Sequence, residues 1–202
     1  MDFKIILYTF LGYLVGSIPW ALVIGKLFYN TDIRNYGSGN LGATNAGRVL
    51  GKKNFYIVSV LDASKSLLVY FLLLSQGYHT ALFAAAAVVI GHCFPIFSHF
   101  KGGKGVATCA GLLLAVSVGS LKTFLLQFLL PAIIFFAIAA ITKYISLASM
   151  TAFTSAVIIM WIFNGDLATK IVFTLLCLFV IYRHRENIQR LLNHKENKVN
   201  IF

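Results

Sequence analysis

Acid is what this chain has least of. Its 202 residues hold six Asp and Glu against seventeen Lys and Arg, a formal net charge of +11. Charged residues of both signs make up only 11%, where a soluble domain carries about 25%. That shortage excludes disorder and coiled coil. With so few carboxylates, a divalent-metal cage is excluded too. The three cysteines, Cys93, Cys109 and Cys177, are odd in number and lie in or beside apolar runs. They fit neither a disulfide scaffold nor a zinc site and are expected as free thiols packing like small hydrophobes. No paired aspartates are present for metal-dependent head-group transfer. H-E-x-x-H, G-x-S-x-G and the H-x-x-x-x-D of common glycerolipid acyltransferases are all missing. No metal and no cofactor is expected.

What is abundant is grease. Hydrophobic residues reach 59%, with 18 Phe, and the mean hydropathy is +0.84. A soluble domain of this length could not bury so much apolar surface. The composition predicts an all-α integral membrane protein. Seven apolar runs stand at about Ile5–Gly25, Phe55–Ser75, Ala81–Phe97, Gly105–Leu121, Thr123–Ile141, Leu147–Phe163 and Thr169–Tyr182. Several are shorter than the roughly 20 residues of a straight crossing and suit half-helices around a buried polar site. The first run is long and followed by six more, so it reads as an uncleaved span rather than a signal peptide. Alternate gaps plus the C-terminal tail hold thirteen Lys and Arg. The other side holds Lys4, Lys122 and Lys170, and Lys65 lies within a span. This predicts about seven transmembrane helices, the N-terminus outside and the C-terminus cytoplasmic. Residues 1–202 read as a single polytopic membrane domain, with a polar cytoplasmic tail over 191–202 that is expected to fray.

Three polar clusters fall on the predicted cytoplasmic side. The first, from Asn35 to Gly51, holds five glycines between Gly37 and Gly51 together with Ser38, Asn40, Asn45 and Arg48. Glycine backbone freed to approach a ligand can cradle an anion, and Arg48 adds a bidentate phosphate fork. A flexible capped loop would not need to gather those four side chains. The second, Gly91–Gly105, starts inside a span at His92 and ends in Gly102-Gly103-Lys104-Gly105. A helix beginning near Gly105 would aim its positive end at that turn, where Lys104 adds a full charge. The spacing is not that of G-x-x-x-x-G-K-S/T. Lys101 reads as a solvated topogenic charge, and His92 as either a ligand contact or a satisfied core histidine.

The third cluster, Tyr182–Arg190, follows the last span. Arg183, Arg185 and Arg190 read as either topology anchors or site charges, whereas His184 and Asn187, three apart on a helix, are not needed for anchoring. Glu186 among arginines reads as a structural ion-pair organiser. Asp62 and Lys65, three apart within the second span, read as scaffolding of the site.

The site-facing groups are thus cationic, amide and glycine backbone, and phosphate is the natural anion for them. Nucleic acid is excluded, because no soluble domain presents a groove. Two classes remain: a membrane enzyme on a phosphorylated substrate, or a small transporter of a phosphorylated metabolite. A transporter needs polar groups reachable from both sides. The outer loops Gln76–Thr80 and Asn164–Ala168 carry no Lys or Arg.

The clusters together resemble the bacterial acyl-phosphate:glycerol-3-phosphate acyltransferase family, the PlsY type. The likeness runs from Gly16-Ser17-Ile18-Pro19 to Arg190. It rests on S-G-N-x-G-A-x-N-x-x-R-x-x-G at Ser38–Gly51, G-H-x-F-P-x-F-x-x-F-K-G-G-K-G at Gly91–Gly105, and R-H-R-E-N-I at Arg183–Ile188. Ser66 departs from the glycine expected after Lys65, a matter of local helix packing.

The resemblance implies a bacterial cytoplasmic-membrane enzyme with its site facing the cytoplasm. It would move a fatty acyl group from acyl phosphate to the sn-1 hydroxyl of glycerol 3-phosphate, giving lysophosphatidic acid and phosphate. Ser38, Arg48, His184 and Asn187 are then the expected catalytic residues. Asn40, Asn45, His92, Gly102, Gly103, Lys104 and Gly105 are expected to bind phosphate or substrate, while Asp62, Lys65 and Glu186 are structural. The acyl chain would lie between spans. Ser38 suits a phosphate or oxyanion donor better than a nucleophile, since no base is visible beside it. The hydroxyl proton goes either to His184 or to a phosphate oxygen of the donor.

Overall fold

Backbone polar groups in lipid find partners inside a helix, and the long apolar runs fold accordingly. The computed structural model describes residues 3–199 as an all-helical chain, with no strand among them. Its contacts divide it into two compact units, one up to Ala115 and one from Val116 onward.

The first unit holds α1 (Phe3–Gly16), α2 (Trp20–Tyr29), α3 (Ala43–Leu50), α4 (Lys52–Leu73) and α5 (Tyr78–Cys93), and most of α6 (Val106–Ser117). α1 and α5 pack closely because glycine removes the side chains between them. A Cβ at Gly12 would overlap the carbonyl of Ala84, one at Gly16 that of Val88, and one at Gly91 that of Tyr13. Spaced four apart, Gly12 and Gly16 form the small-residue stripe that lets membrane helices touch backbone to backbone. Pro19, unable to donate, separates α1 from α2. Below this break lies a buried cluster of Ala21, Leu22, Ile24, Ile33, Leu41, Ala46 and Val58, which anchors the loop between α2 and α3. Ser66 fills the place where glycine was expected. It is fully buried, and its hydroxyl donates to the carbonyl of Thr108 at 2.5 Å, stitching α4 to α6.

The second unit begins with α7 (Leu121–Thr123), which Ser120 caps reciprocally with Thr123. It continues through a π-helical stretch, Phe124–Leu129, into α8 (Leu130–Thr142). Next come α9 (Ile145–Phe163), α10 (Leu167–Arg183) and α11 (Arg185–Leu192). Asp166 caps α10, accepting from the amide and the hydroxyl of Thr169, both at 2.7 Å. Phe153 meets Phe173 edge-on between α9 and α10.

All seven apolar runs have a helical counterpart. Among the described residues, five segments are long and apolar enough to cross a membrane: Phe3–Tyr29, Lys52–Gln76, Tyr78–Ser98, Leu121–Thr142 and Ile145–Phe163. A sixth is added if Leu167–Arg183 and Arg185–Leu192, bent by 56° at His184, count as one broken span. α6, at 12 residues, is the short helix that the fourth run suggested. Leu72 and Ile141 turn at least three quarters of their surface outward, as expected where the solvent is lipid. Cys93, Cys109 and Cys177 are buried, and none is in a disulfide.

One expectation is corrected here. The tail does not fray over its described part. The Val199 amide donates to the Lys143 carbonyl at 2.9 Å, and Glu196 is held by three side chains. Residues 200–202 of the expected tail lie outside the described residues.

Candidate active site

The first polar cluster is a turn built around one buried amide. Asn45, on α3, is 1% exposed. Its Nδ2 donates to the carbonyls of Ile33 (3.1 Å) and Tyr36 (3.2 Å), and its Oδ1 accepts from the Ser38 amide at 2.9 Å. Both donors are thereby committed to backbone, so Asn45 takes a supporting place rather than the ligand contact expected of it. The turn it closes has Gly37 at φ 61° and Gly39 at φ 66°, a left-handed path that a side chain would strain. Ser38 lies exposed between them. Arg48, one turn beyond Asn45 on α3, is exposed too. Its Cδ would lie only 3.4 Å from a Cβ placed on Gly37. Ser38 and Arg48 therefore crown the same turn.

Upstream, Asp32 fixes the approach to this turn. Its carboxylate accepts from Arg34 Nε at 2.9 Å and Nη2 at 2.6 Å, and from the Arg34 amide at 3.1 Å. The Arg34 hydrogen bonds outweigh the opposing effect of burial and hold the Asp32 carboxyl at a pKa of about 2.

The second cluster is a loop pressed against the end of α5. The Gly103 amide donates to the His92 carbonyl at 3.0 Å. A Cβ on Gly102 would overlap that same carbonyl, and one on Gly103 would overlap the His92 ring at Nε2. His92 thus lies behind the loop, 6% exposed, and supports it rather than reaching a ligand as expected. Lys104 is half-buried and Lys101 exposed. Gly105, at φ 84°, opens α6, whose first amides point back toward Lys104.

The two clusters meet. Asn40 Nδ2 donates to the Gly102 carbonyl at 3.3 Å, and a Cβ on Gly42 would come within 4.0 Å of Gly103 Cα. Of the residues expected to touch substrate, Ser38, Asn40, Arg48, Gly102, Gly103, Lys104 and Gly105 belong to this one assembly. The two touching segments carry backbone N–H groups, a guanidinium and an ammonium. Such a set suits phosphate.

The third cluster belongs to the second unit. His184 is 3% exposed at the bend between α10 and α11, and its Nδ1 is 2.8 Å from the Val180 carbonyl. A carbonyl only accepts, so Nδ1 carries a proton, and in the neutral ring Nε2 keeps the lone pair. Asn187 is 6% exposed and donates from Nδ2 to Glu196 Oε1 at 2.6 Å.

Glu186 differs from expectation. It is exposed, and the ion-pairing place assigned to it is held by Glu196. Glu196 accepts from Ser146 Oγ at 2.9 Å, Asn187 Nδ2 at 2.6 Å and Arg190 Nε at 2.8 Å. Burial pushes its carboxyl up, but these hydrogen bonds prevail and hold it below the usual glutamate range. Sequence reasoning missed Glu196 and Ser146. The available signal was rarity: with six acids in the chain, a carboxylate in a basic tail has work to do.

Comparison with known proteins agrees with this geometry. The family model described as glycerol-3-phosphate acyltransferase matches residues 6–194. A glycerol-3-phosphate acyltransferase of Listeria monocytogenes serotype 4a (strain HCC23) is 44% identical over 203 residues, covering 98% of each chain. That of Bacillus cytotoxicus is 46% identical over 196 residues, covering 96% of this chain and 94% of its own. The crystal structure of PlsY, an integral membrane glycerol 3-phosphate acyltransferase, in its glycerol 3-phosphate form superposes with a TM-score of 0.88 at 36% identity. It covers 97% of this chain and 96% of that one. The lysophosphatidic acid form gives 0.86 at 35% identity, covering 98% and 96%. This chain is an integral membrane protein that belongs to the glycerol-3-phosphate acyltransferase family.

Proposed function

We propose that the chain catalyses acyl transfer from acyl phosphate to the sn-1 hydroxyl of glycerol 3-phosphate at the bacterial cytoplasmic membrane. Seven crossings, the N-terminus outside and the site on the cytoplasmic side complete the reading. The observation that supports it is the meeting of the two glycine loops through Asn40 and Gly102, the segments that carry Ser38, Arg48 and Lys104.

Both substrates carry phosphate, so their mutual repulsion must be offset. Lys104 and the first amides of α6 hold the glycerol 3-phosphate phosphate. Arg48, with Ser38 as a hydroxyl donor, takes the donor phosphate. The hydroxyl oxygen attacks the acyl carbonyl carbon, and the bond from that carbon to the phosphate oxygen breaks. Phosphate leaves with the electron pair, and the hydroxyl proton is lost to a base. Phosphate leaves readily, so no covalent enzyme intermediate is needed, and the protein supplies position and charge. His184 and Asn187 are required for turnover in this reading.

The test is an assay of purified protein with radiolabelled glycerol 3-phosphate and palmitoyl phosphate, run beside acyl-CoA and acyl-carrier protein. Lysophosphatidate from palmitoyl phosphate alone is expected. Product from acyl-CoA alone would overturn the donor, and no product from any donor would overturn the enzyme.

A further inference from the structure

The two glycine loops are held from behind by different means. Behind the second, Lys65 Nζ donates to the carbonyls of Gly16 at 3.1 Å and Ile18 at 3.0 Å, and to His92 Nδ1 at 3.3 Å. Asp62, 1% exposed, sets Oδ1 3.0 Å from that ammonium as its counter-charge. Behind the first lies a neutral side chain, Asn45.

The orientation of the Asn45 amide is fixed by its neighbours. Nδ2 faces the carbonyls of Ile33 (3.1 Å) and Tyr36 (3.2 Å), which only accept. Oδ1 faces the Ser38 N–H at 2.9 Å, which only donates. A flipped amide would set oxygen against two carbonyls and N–H against N–H. The backbone bonds from Asn35 to Asp32, Tyr36 to Ile33 and Gly39 to Tyr36 stay inside the turn. Those of Asn45 cross to it from α3 and reach both of its ends. Ile33 is fully buried in the core cluster, so the exposed Ser38 is tied to a fixed point of the core.

Arg48 belongs to the same frame. Asn45 and Arg48 are three apart on α3 and share a face. Gly37 lies against both: a Cβ there would overlap Asn45 Oδ1 and stand 3.4 Å from Arg48 Cδ. Its bare backbone, at φ 61°, lets the amide reach Ser38 while the arginine stem lies along the turn.

We propose that Asn45 is a positioning residue for the acyl-donor side of the reaction, setting the spacing between Ser38 and Arg48 without touching substrate itself. This rests on the reading that those two take the donor phosphate, while Lys104 and α6 hold that of glycerol 3-phosphate. Two groups that share one phosphate must stand at a set distance, and a buried amide with both hydrogens committed keeps it. Its effect falls on the donor rather than on the glycerol 3-phosphate loop.

The experiment uses the full chain in nanodiscs. In Asn45→Ala, KM for palmitoyl phosphate is expected to rise about tenfold while KM for glycerol 3-phosphate stays within about threefold. Partial unfolding lowers the active fraction and moves neither constant. Equal rises in both constants, or none in a folded variant, overturn the proposal. Combined with Arg48→Lys, the substitution is expected to lower kcat/KM for palmitoyl phosphate by less than it does alone, because both disturb one arrangement; additive losses overturn the proposal. A second arm is read without acyl donor: inorganic phosphate is titrated into protein labelled with 15N-arginine and followed on Arg48 Nε. Asn45→Ala is expected to weaken that binding about tenfold, and unchanged binding overturns the proposal. A wild-type protein that makes no lysophosphatidate overturns the acyl-transfer reading and leaves the phosphate result standing. Should Asn45→Ala not fold, Gly37→Ala in the exposed turn presses its methyl onto Asn45 Oδ1 instead. The same one-sided rise in KM is expected, and wild-type constants overturn the proposal.

Discussion

Asn187 donates its side-chain amide to Glu196 Oε1 at 2.6 Å, across a turn that carries the chain back over α11. A residue expected to take part in turnover is thereby held by a carboxylate from the tail. The same oxygen accepts from Ser146, which is 6% exposed. Glu196→Ala would leave two buried polar groups without their acceptor, at a cost of about 1–3 kcal/mol. The thermal midpoint should fall and turnover with it, while Glu186→Ala at the exposed neighbour should change neither. Equal effects of the two substitutions would return the organising role to Glu186.

Glu196 also gives a pH dependence of definite sign. Its folded-state carboxyl is held below the usual value, so its ionised form favours the folded protein. That contribution is present above the unfolded glutamate pKa and is lost as pH falls through the folded one. Acid unfolding followed in detergent should show Glu196→Gln with a flatter decline than wild type below about pH 4.3. A steeper decline would refute the assignment.

Asp32 behaves alike at a separate place. With its pKa at about 2, the fork to Arg34 survives acid that neutralises ordinary aspartates. Its stabilisation is complete above the unfolded value and fades as pH falls toward the folded one. The pair is part-exposed, so Asp32→Asn should alter stability by less than about 1 kcal/mol. A 13C titration of the Asp32 carboxyl should show a midpoint near the low value, and a midpoint near 4 would mean the fork is not formed in solution.

Lys104→Ala should raise KM for glycerol 3-phosphate by roughly tenfold to a hundredfold, the loss of one charge-assisted phosphate contact, with a smaller change in kcat. Unchanged kinetics would remove Lys104 from the phosphate pocket.

Gly103→Ala tests the loop sterically. The added methyl meets the His92 ring, whereas one at Gly119 or Gly165 meets nothing within 4 Å. Activity should fall at least about tenfold for Gly103→Ala and stay near wild type for the other two. Parallel losses at all three would deny the Gly103–His92 contact any special part in activity.

Much of the architecture was legible because lipid imposes a simple code. Each apolar run from Ile5–Gly25 to Thr169–Tyr182 has its helix, and Gly-Gly-Lys-Gly does open α6. Other features had no local signal. Asn45 looked like a ligand contact because it shares a loop with Ser38, yet its partners are the backbone of Ile33 and Tyr36, nine or more residues upstream. Glu196 meets Ser146 fifty residues away through one hydrogen bond, a contact that no periodicity announces. The π-helical turn at Phe124–Leu129 stayed hidden too, since apolar residues on every side leave no stripe whose phase could slip.

The glycine contact between α1 and α5 bears on how the chain is made. Gly16 leaves the ribosome about 70 residues before Val88, the backbone it must touch. At roughly 5–20 residues per second, the newborn first helix waits several seconds in the bilayer with its bare stripe uncovered. Lys65 likewise reaches the membrane before His92 exists to join it. The insertion machinery must therefore shelter an unfinished pair, and mutants that slow synthesis between residues 20 and 85 should be the ones most exposed to quality-control proteolysis.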